Sequence, residues 1–422
     1  MLKLPKLLQL PNFSKLYYAG LTSELGSFIT ETALMMLVFK LSTGDKSQLG
    51  LMRAAFLISL TLGSLVGGPI GEKFNRRNVL LFANVCRIPF VISLFFFHNF
   101  YNIIICDALI AFFTGLYNPS RQAMINDIVP SKDIVSANSL FGATVAILHM
   151  IGPFVGATLF AAFGGIYEII TFDLLTYIFG IGLLLKINYR PPQKKAHGQE
   201  KTSILHDLKE GLRYAYKRND LLALLINCAV GGFCIGILFP LLLPFTAEVL
   251  KLKEAEYGIL LSIFGMGGIV GGFLCHKISN KYMPGKLIVV TSAIEPFIML
   301  TWVLVPIYWF SAAVFFIWGL FVFIRIPSQL NYVSKTVPTE YLSRTHSILD
   351  LSFVIPNISG GICVALVGNR FETMDMLLAA SVIFIVLIIP RLMSNNMQSL
   401  YRDEAEIVTR DESVQDTVQP HV

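Results

Sequence analysis

Apolar runs of roughly 20 residues, divided by short polar breaks, follow one another along most of the chain. Each is long enough for a helix to cross about 30 Å of hydrocarbon at about 1.5 Å per residue. In hydrocarbon every backbone N–H and C=O must be satisfied within the protein, which leaves helices or a closed barrel. No stretch sustains strand alternation, so the expected class is an all-α membrane protein. Twelve spans are read, at 14–40, 47–70, 78–98, 101–121, 137–163, 166–187, 220–248, 255–278, 286–305, 307–330, 342–368 and 372–392. The composition, 55% hydrophobic and 14% charged over 422 residues, agrees, because a soluble body of that size needs more charged surface.

The twelve spans divide into six plus six, and the two sets echo each other. Pro119-Ser120 and Val129-Pro130 recur as Pro327-Ser328 and Val337-Pro338, an offset of 208 residues. The same offset relates Gly50 to Gly258, Ser139 to Ser347 and Gly152 to Gly360. Val66-Gly67-Gly68 against Val270-Gly271-Gly272 gives 204, which reads as one helical turn gained or lost. A duplicated helical bundle with a site between its halves is an architecture of secondary transporters. The expected organisation is a cytoplasmic segment 1–13, a six-helix bundle 14–187, a cytoplasmic loop 188–219, a second bundle 220–392 and a tail 393–422. Within the loop, Ile204 to Tyr216 can form an amphipathic interfacial helix.

Lysine and arginine set the expected orientation. With both termini inside, the inner segments carry 25 of 33 cations, Arg121 in the 121–135 segment among them. The outer loops carry Lys40, Lys46, Lys251, Lys253 and Arg370, and the remaining Arg53, Arg87 and Arg325 lie within spans. That asymmetry accounts for the net charge of +6 without a nucleic-acid partner. The first run contains Glu24 and Glu31 and is too long for a signal core, so it reads as a retained helix. All six cysteines (Cys86, Cys106, Cys228, Cys234, Cys275, Cys363) fall inside spans, and none forms a Cys-x-x-Cys pair. They read as small buried hydrophobes, with no metal and no cofactor expected. The chain has no His-Glu-x-x-His, no nucleotide-binding glycine loop and no Gly-x-Ser-x-Gly on a strand–helix turn, so an enzyme or ATP-driven pump is disfavoured. Trp302, Trp309 and Trp318 are expected as anchors near the outer interface.

A charge at mid-bilayer is costly unless paired or hydrated, so each one suggests function. Glu24 and Glu31 stand seven residues apart, about 700° around a helix, and share a face. A carboxylate in an apolar cavity can bind and release a proton near neutrality. With Arg87 and Asp107, this pair forms the candidate proton-coupling set, Arg87 being expected to pair with Glu24. Arg53 is expected to pair with Asp107, and Arg325 with Asp350. Glu295 superposes on Arg87 by the 208 offset. For Arg53 and Arg325 a structural salt bridge is the simpler role, and for His149 a hydrogen-bonded core residue rather than a proton relay. Tyr17, Phe28, Tyr117, Phe233 and Phe239 are candidate pocket aromatics.

The first inner loop reads Gly68-Pro-Ile-Gly-Glu-Lys-Phe-Asn-Arg-Arg77. It resembles the loop signature of the major facilitator superfamily, with Glu72 for its acid, Lys73 for its first base, Arg76 and Arg77 for its final pair and Asn75 replacing a glycine. Gly152-Pro153-Phe-Val-Gly156-Ala157 looks like the end of the antiporter motif of drug-exporting members, with Ala157 in place of the last glycine. The Asn118–Leu140 stretch resembles the branch that contains macrolide-efflux proteins and the enterobactin exporter. The resemblance implies a two-bundle, twelve-helix fold and proton-driven export of a small amphipathic molecule from a cell membrane, bacterial in origin, by a monomer. Glu72 is expected at the inner start of the eleventh helix, where Arg344 can pair with it and hold a gate shut. A solvated loop, and a tight helix contact at Gly152 and Gly156, are the plainer readings of these motifs. Import of a nutrient on the same fold, or a sensor that has lost transport, are the alternatives.

Overall fold

The computed structural model describes residues 4–189, 204–279, 281–392 and 400. Among them no strand occurs. Twelve long helices follow in order: α1 (Pro11–Leu41), α2 (Lys46–Lys73), α3 (Arg76–Phe96), α4 (Phe100–Ile128), α5 (Ile134–Phe163), α6 (Tyr167–Leu185), α7 (Asn219–Pro244), α8 (Glu254–Ile278), α9 (Pro284–Leu304), α10 (Tyr308–Thr336), α11 (Thr339–Val367) and α12 (Thr373–Leu392). Ten spans among the described residues are long and apolar enough to cross a membrane. α1, which carries Glu24 and Glu31, is not among those ten, and in α5 the apolar stretch found is the shorter Ile151–Phe163. A separate helix, Ile204–Tyr216, lies in the central loop. His149 is in α5, and its side chain lies outside the described residues.

Short polar residues start the helices where the sequence turns. Asp45 accepts from Gln48 N at 3.2 Å, Asn75 from Arg77 N at 3.0 Å and Asn99 from Asn102 N at 2.9 Å, each satisfying an orphan donor of a first turn. Gly164, with φ of 68°, ends α5 in the left-handed conformation that a Cβ disfavours. A π-helical turn at Phe245–Val249 follows Pro244 at the end of α7, where proline has removed a backbone donor.

The described residues group into two compact units. One draws on Met1–His197, Pro240–Gly265 and Val364–Arg370, the other on Gly198–Phe239, Met266–Cys363 and Phe371–Val422. Each has an apolar core, and the two cores correspond residue by residue. Phe13, Leu16, Tyr17, Leu80, Met124, Ile125, Val129 and Phe141 in the first become Leu221, Leu224, Leu225, Ile288, Tyr332, Val333, Val337 and Leu349 in the second, every pair 208 apart. The starts of α1 to α4 keep that offset against α7 to α10.

The helix bounds correct the expected gain or loss of a turn. None occurs; the 204 echo belongs to a contact. A methyl group on Gly63 would collide with the carbonyl of Phe112, and one on Gly67 with the Leu116 backbone, so α2 and α4 touch backbone to backbone. In the second unit Gly267 meets Phe316 and Gly271 meets Leu320 in the same way. The crossing sits one turn nearer the start of both helices. Lipid offers no hydrophobic drive for helices to associate, so close packing at small residues supplies it.

Candidate functional site

Four groups of charged side chains lie inside the helical bundles. On α1, Glu31 accepts from Arg53 Nη1 of α2 at 3.1 Å. Asp107 of α4, only 4% exposed, feels both charges, as does Tyr257 at the start of α8, which belongs to the same unit. Glu31 alone bonds the guanidinium, and Asp107 is a second carboxyl within its electrostatic reach. The group thus holds two acids and one base among the described residues.

Glu24, two turns earlier on α1, accepts from Arg121 Nη1 of α4 at 3.3 Å. The Arg121 guanidinium lies 3.9 Å from the centre of the Phe141 ring, within cation–π range. This group is balanced, one acid to one base.

Arg87 of α3 is 1% exposed. Its Nη1 donates to Ser23 Oγ at 3.2 Å and to Asn84 Oδ1 at 3.1 Å, and its guanidinium lies 5.4 Å from the Tyr117 and Tyr177 ring centres. The nearby negative charge includes Asp173 of α6, which is buried and acts on the same network.

In the second unit, Arg325 of α10 donates through Nε to Glu295 of α9 at 2.6 Å, with Gln329 3.4 Å from Nη1. Both partners are almost fully enclosed. Asp350 of α11 is exposed, with His346 one turn before it as its electrostatic neighbour.

The expected pairings are therefore largely replaced. Glu24 takes Arg121, not Arg87, because α4 runs on to Ile128 and carries Arg121 inside the helix. The span expected to end at 121 continues to Ile128, with Pro119 in the helix interior. Arg53 binds Glu31 directly, with Asp107 as a third member. Arg325 takes Glu295 in place of Asp350. Trp302 and Trp318 are buried, with Phe315 between their rings, and Trp309 is 78% exposed as an anchor should be. Tyr17 and Tyr117 fill the first core, Tyr17 bonded to Thr144 at 2.5 Å.

The loop motif acts inside its own unit. Arg76 pairs with Asp127 at the end of α4 and donates to Ala123 O at 3.0 Å, while Tyr189 donates to the same Asp127. Burial and the Asp127 carboxylate push the Tyr189 hydroxyl up from its usual range. Arg77 donates to Leu184 O at 2.8 Å, holding the end of α6. Glu72 and Lys73 are exposed, and Gly68 faces open space. Arg344, the expected partner of Glu72, pairs with Glu210 at 2.7 Å. Gly152 and Gly156 bring α5 against Phe28 and Ile29 of α1, and Pro153 lies between them in the helix interior.

Among the described residues no cluster of three or more histidines, cysteines or acids forms a metal site. Four of the six cysteines are buried.

The family model described as Major Facilitator Superfamily matches residues 16–361. The multi-drug resistance efflux pump PmrA of Streptococcus pneumoniae is 23% identical over 364 residues, covering 82% of this chain and 88% of that protein. The enterobactin exporter EntS of Shigella boydii is 23% identical over 338 residues, 76% of each chain. Among solved structures, the nucleoside transporter NupG superposes with a TM-score of 0.70 at 13% identity, over 93% of this chain and 98% of that one.

Proposed function

We propose, for a chain that belongs to the Major Facilitator Superfamily, that it is a proton-coupled exporter of a small amphipathic molecule. Transport across a membrane by a multi-pass helical protein follows from the family, and the relatives that carry out multidrug efflux and enterobactin export favour the outward direction. The observation that carries proton coupling is the charge imbalance of Glu31, Arg53 and Asp107. A partly enclosed group with one surplus carboxylate exchanges it for a neutral acid when a proton binds, and each state favours a different arrangement of the helices that hold it. α1, α2 and α4 carry the three groups, and Tyr257 extends their reach to α8. Arriving on one side, a proton neutralises the surplus charge; on the other, substrate takes the open site as the proton leaves. Both termini lie on the cytoplasmic side of the cell membrane in this reading, the bundles are 14–187 and 220–392, and the monomer is the working unit.

The test is exchange in proteoliposomes holding a pH-sensitive dye, with a panel of cationic dyes and macrolides as substrates. The expected result is proton movement opposite to substrate movement, abolished in Glu31→Gln while the variant remains folded. Protons and substrate moving in the same direction would make the protein an importer. Proton movement unchanged in Glu31→Gln would remove the coupling assignment.

A further inference from the structure

We propose that the helix Ile204–Tyr216 is a binding surface for anionic lipid headgroups, with Lys209, Arg213 and Lys217 as the cations that hold them. The helix is fixed at the level where the membrane helices begin and end. Glu210 accepts from Arg344 at 2.7 Å. Tyr214 stacks on Tyr341, ring centres 4.4 Å apart and planes 3° from parallel. Gly211 abuts Ile348 and Arg344, and Ala215 is fully buried. Just past the helix, Arg218 donates to Thr336 O at 2.7 Å and pairs with Asp220, which also accepts from Tyr332 at 2.7 Å. Thr336 ends α10 and Tyr341 stands in the first turn of α11. The helix therefore lies against the end of α10 and the first turns of α11.

These contacts occupy one arc of the helix and leave another open. At about 100° per residue, Gly211 and Ala215 face the protein. Leu212 and Tyr216 come next around the helix, 54% and 71% exposed. Lys209, Arg213 and Lys217 follow, four residues apart and exposed. None of the three side chains forms a hydrogen bond or ion pair among the described residues, and Glu210, the acid beside them, is engaged by Arg344. From protein to solvent the surface thus runs from packed small residues through exposed apolar side chains to cations. That order matches the bilayer boundary, where apolar groups enter the acyl region and cations meet the headgroups. A soluble acidic partner would satisfy the cations but leave Leu212 and Tyr216 in water.

The experiment is native mass spectrometry of the full chain released from nanodiscs of equal phosphatidylcholine and phosphatidylglycerol. The variants are Lys209→Gln/Arg213→Gln/Lys217→Gln and, as a control at another exposed basic stretch, Lys277→Gln/Lys281→Gln/Lys286→Gln. The expected result is a fall in retained phosphatidylglycerol relative to phosphatidylcholine of about fivefold per charge removed in the first variant. The control should keep most of its retention, and both variants should melt as the wild type does. Equal retention by the wild type and the first variant, or an equal fall in the control, would overturn the proposal.

Discussion

The two units handle their intramembrane charges differently. In the second, Glu295 and Arg325 balance each other and are closed off from their surroundings. In the first, three groups are spread over five helices, and one of them has two acids to a single base. A balanced, enclosed pair stores little that a proton can change. A group with a surplus acid can take up a proton and keep its ion pair. The packing of the two units follows the same repeat while the electrostatics have diverged, so the repeat records a shared architecture and the proposed coupling assigns the unbalanced charges a separate role.

The sharpest way to break this comparison is to remove one partner from the enclosed pair. Glu295→Ala leaves Arg325 buried without a counter-charge, and should cost about 3–5 kcal/mol, read as a drop in melting in detergent. If transport failed while melting held, Glu295 would belong to the coupling machinery and the separate role of the unbalanced charges would be lost. Replacing both partners by apolar residues, Glu295→Leu/Arg325→Leu, should recover most of that stability, since an enclosed ion pair adds little over packed hydrophobes.

Glu24→Gln should cost less, about 1–3 kcal/mol, because it weakens a charged hydrogen bond without stranding a fully enclosed base. It should slow exchange but leave proton coupling in place, measured in the same proteoliposomes. Complete loss of coupling here would move the coupling site from Glu31 to Glu24. The smallest effect is expected at Asp350→Asn, within about 0.5 kcal/mol by thermal melting, since that side chain is exposed.

Much of the arrangement is legible in the sequence because hydrocarbon is a strict solvent. The number of long helices and the correspondence of Phe13 with Leu221 or Met124 with Tyr332 follow from run length and the 208-residue repeat. The missed partner, Arg121, had a signal: Met124 and Ile125 continue the apolar pattern past the expected end at 121, and the polar break there need not end the helix. The choice of Arg325 by Glu295 had none. Arg325 and Asp350 share no spacing rule with Glu295, and only the approach of α9 to α10 selects between them.

The chain's own residues determined that it is helical, that it spans a membrane and that one half repeats the other, because each of these depends on local run length or on a fixed offset. Which acid meets which base was decided by tertiary structure alone. Ion pairs form between helices, and helix rotation and depth depend on where small residues such as Gly63 and Gly67 let two backbones meet.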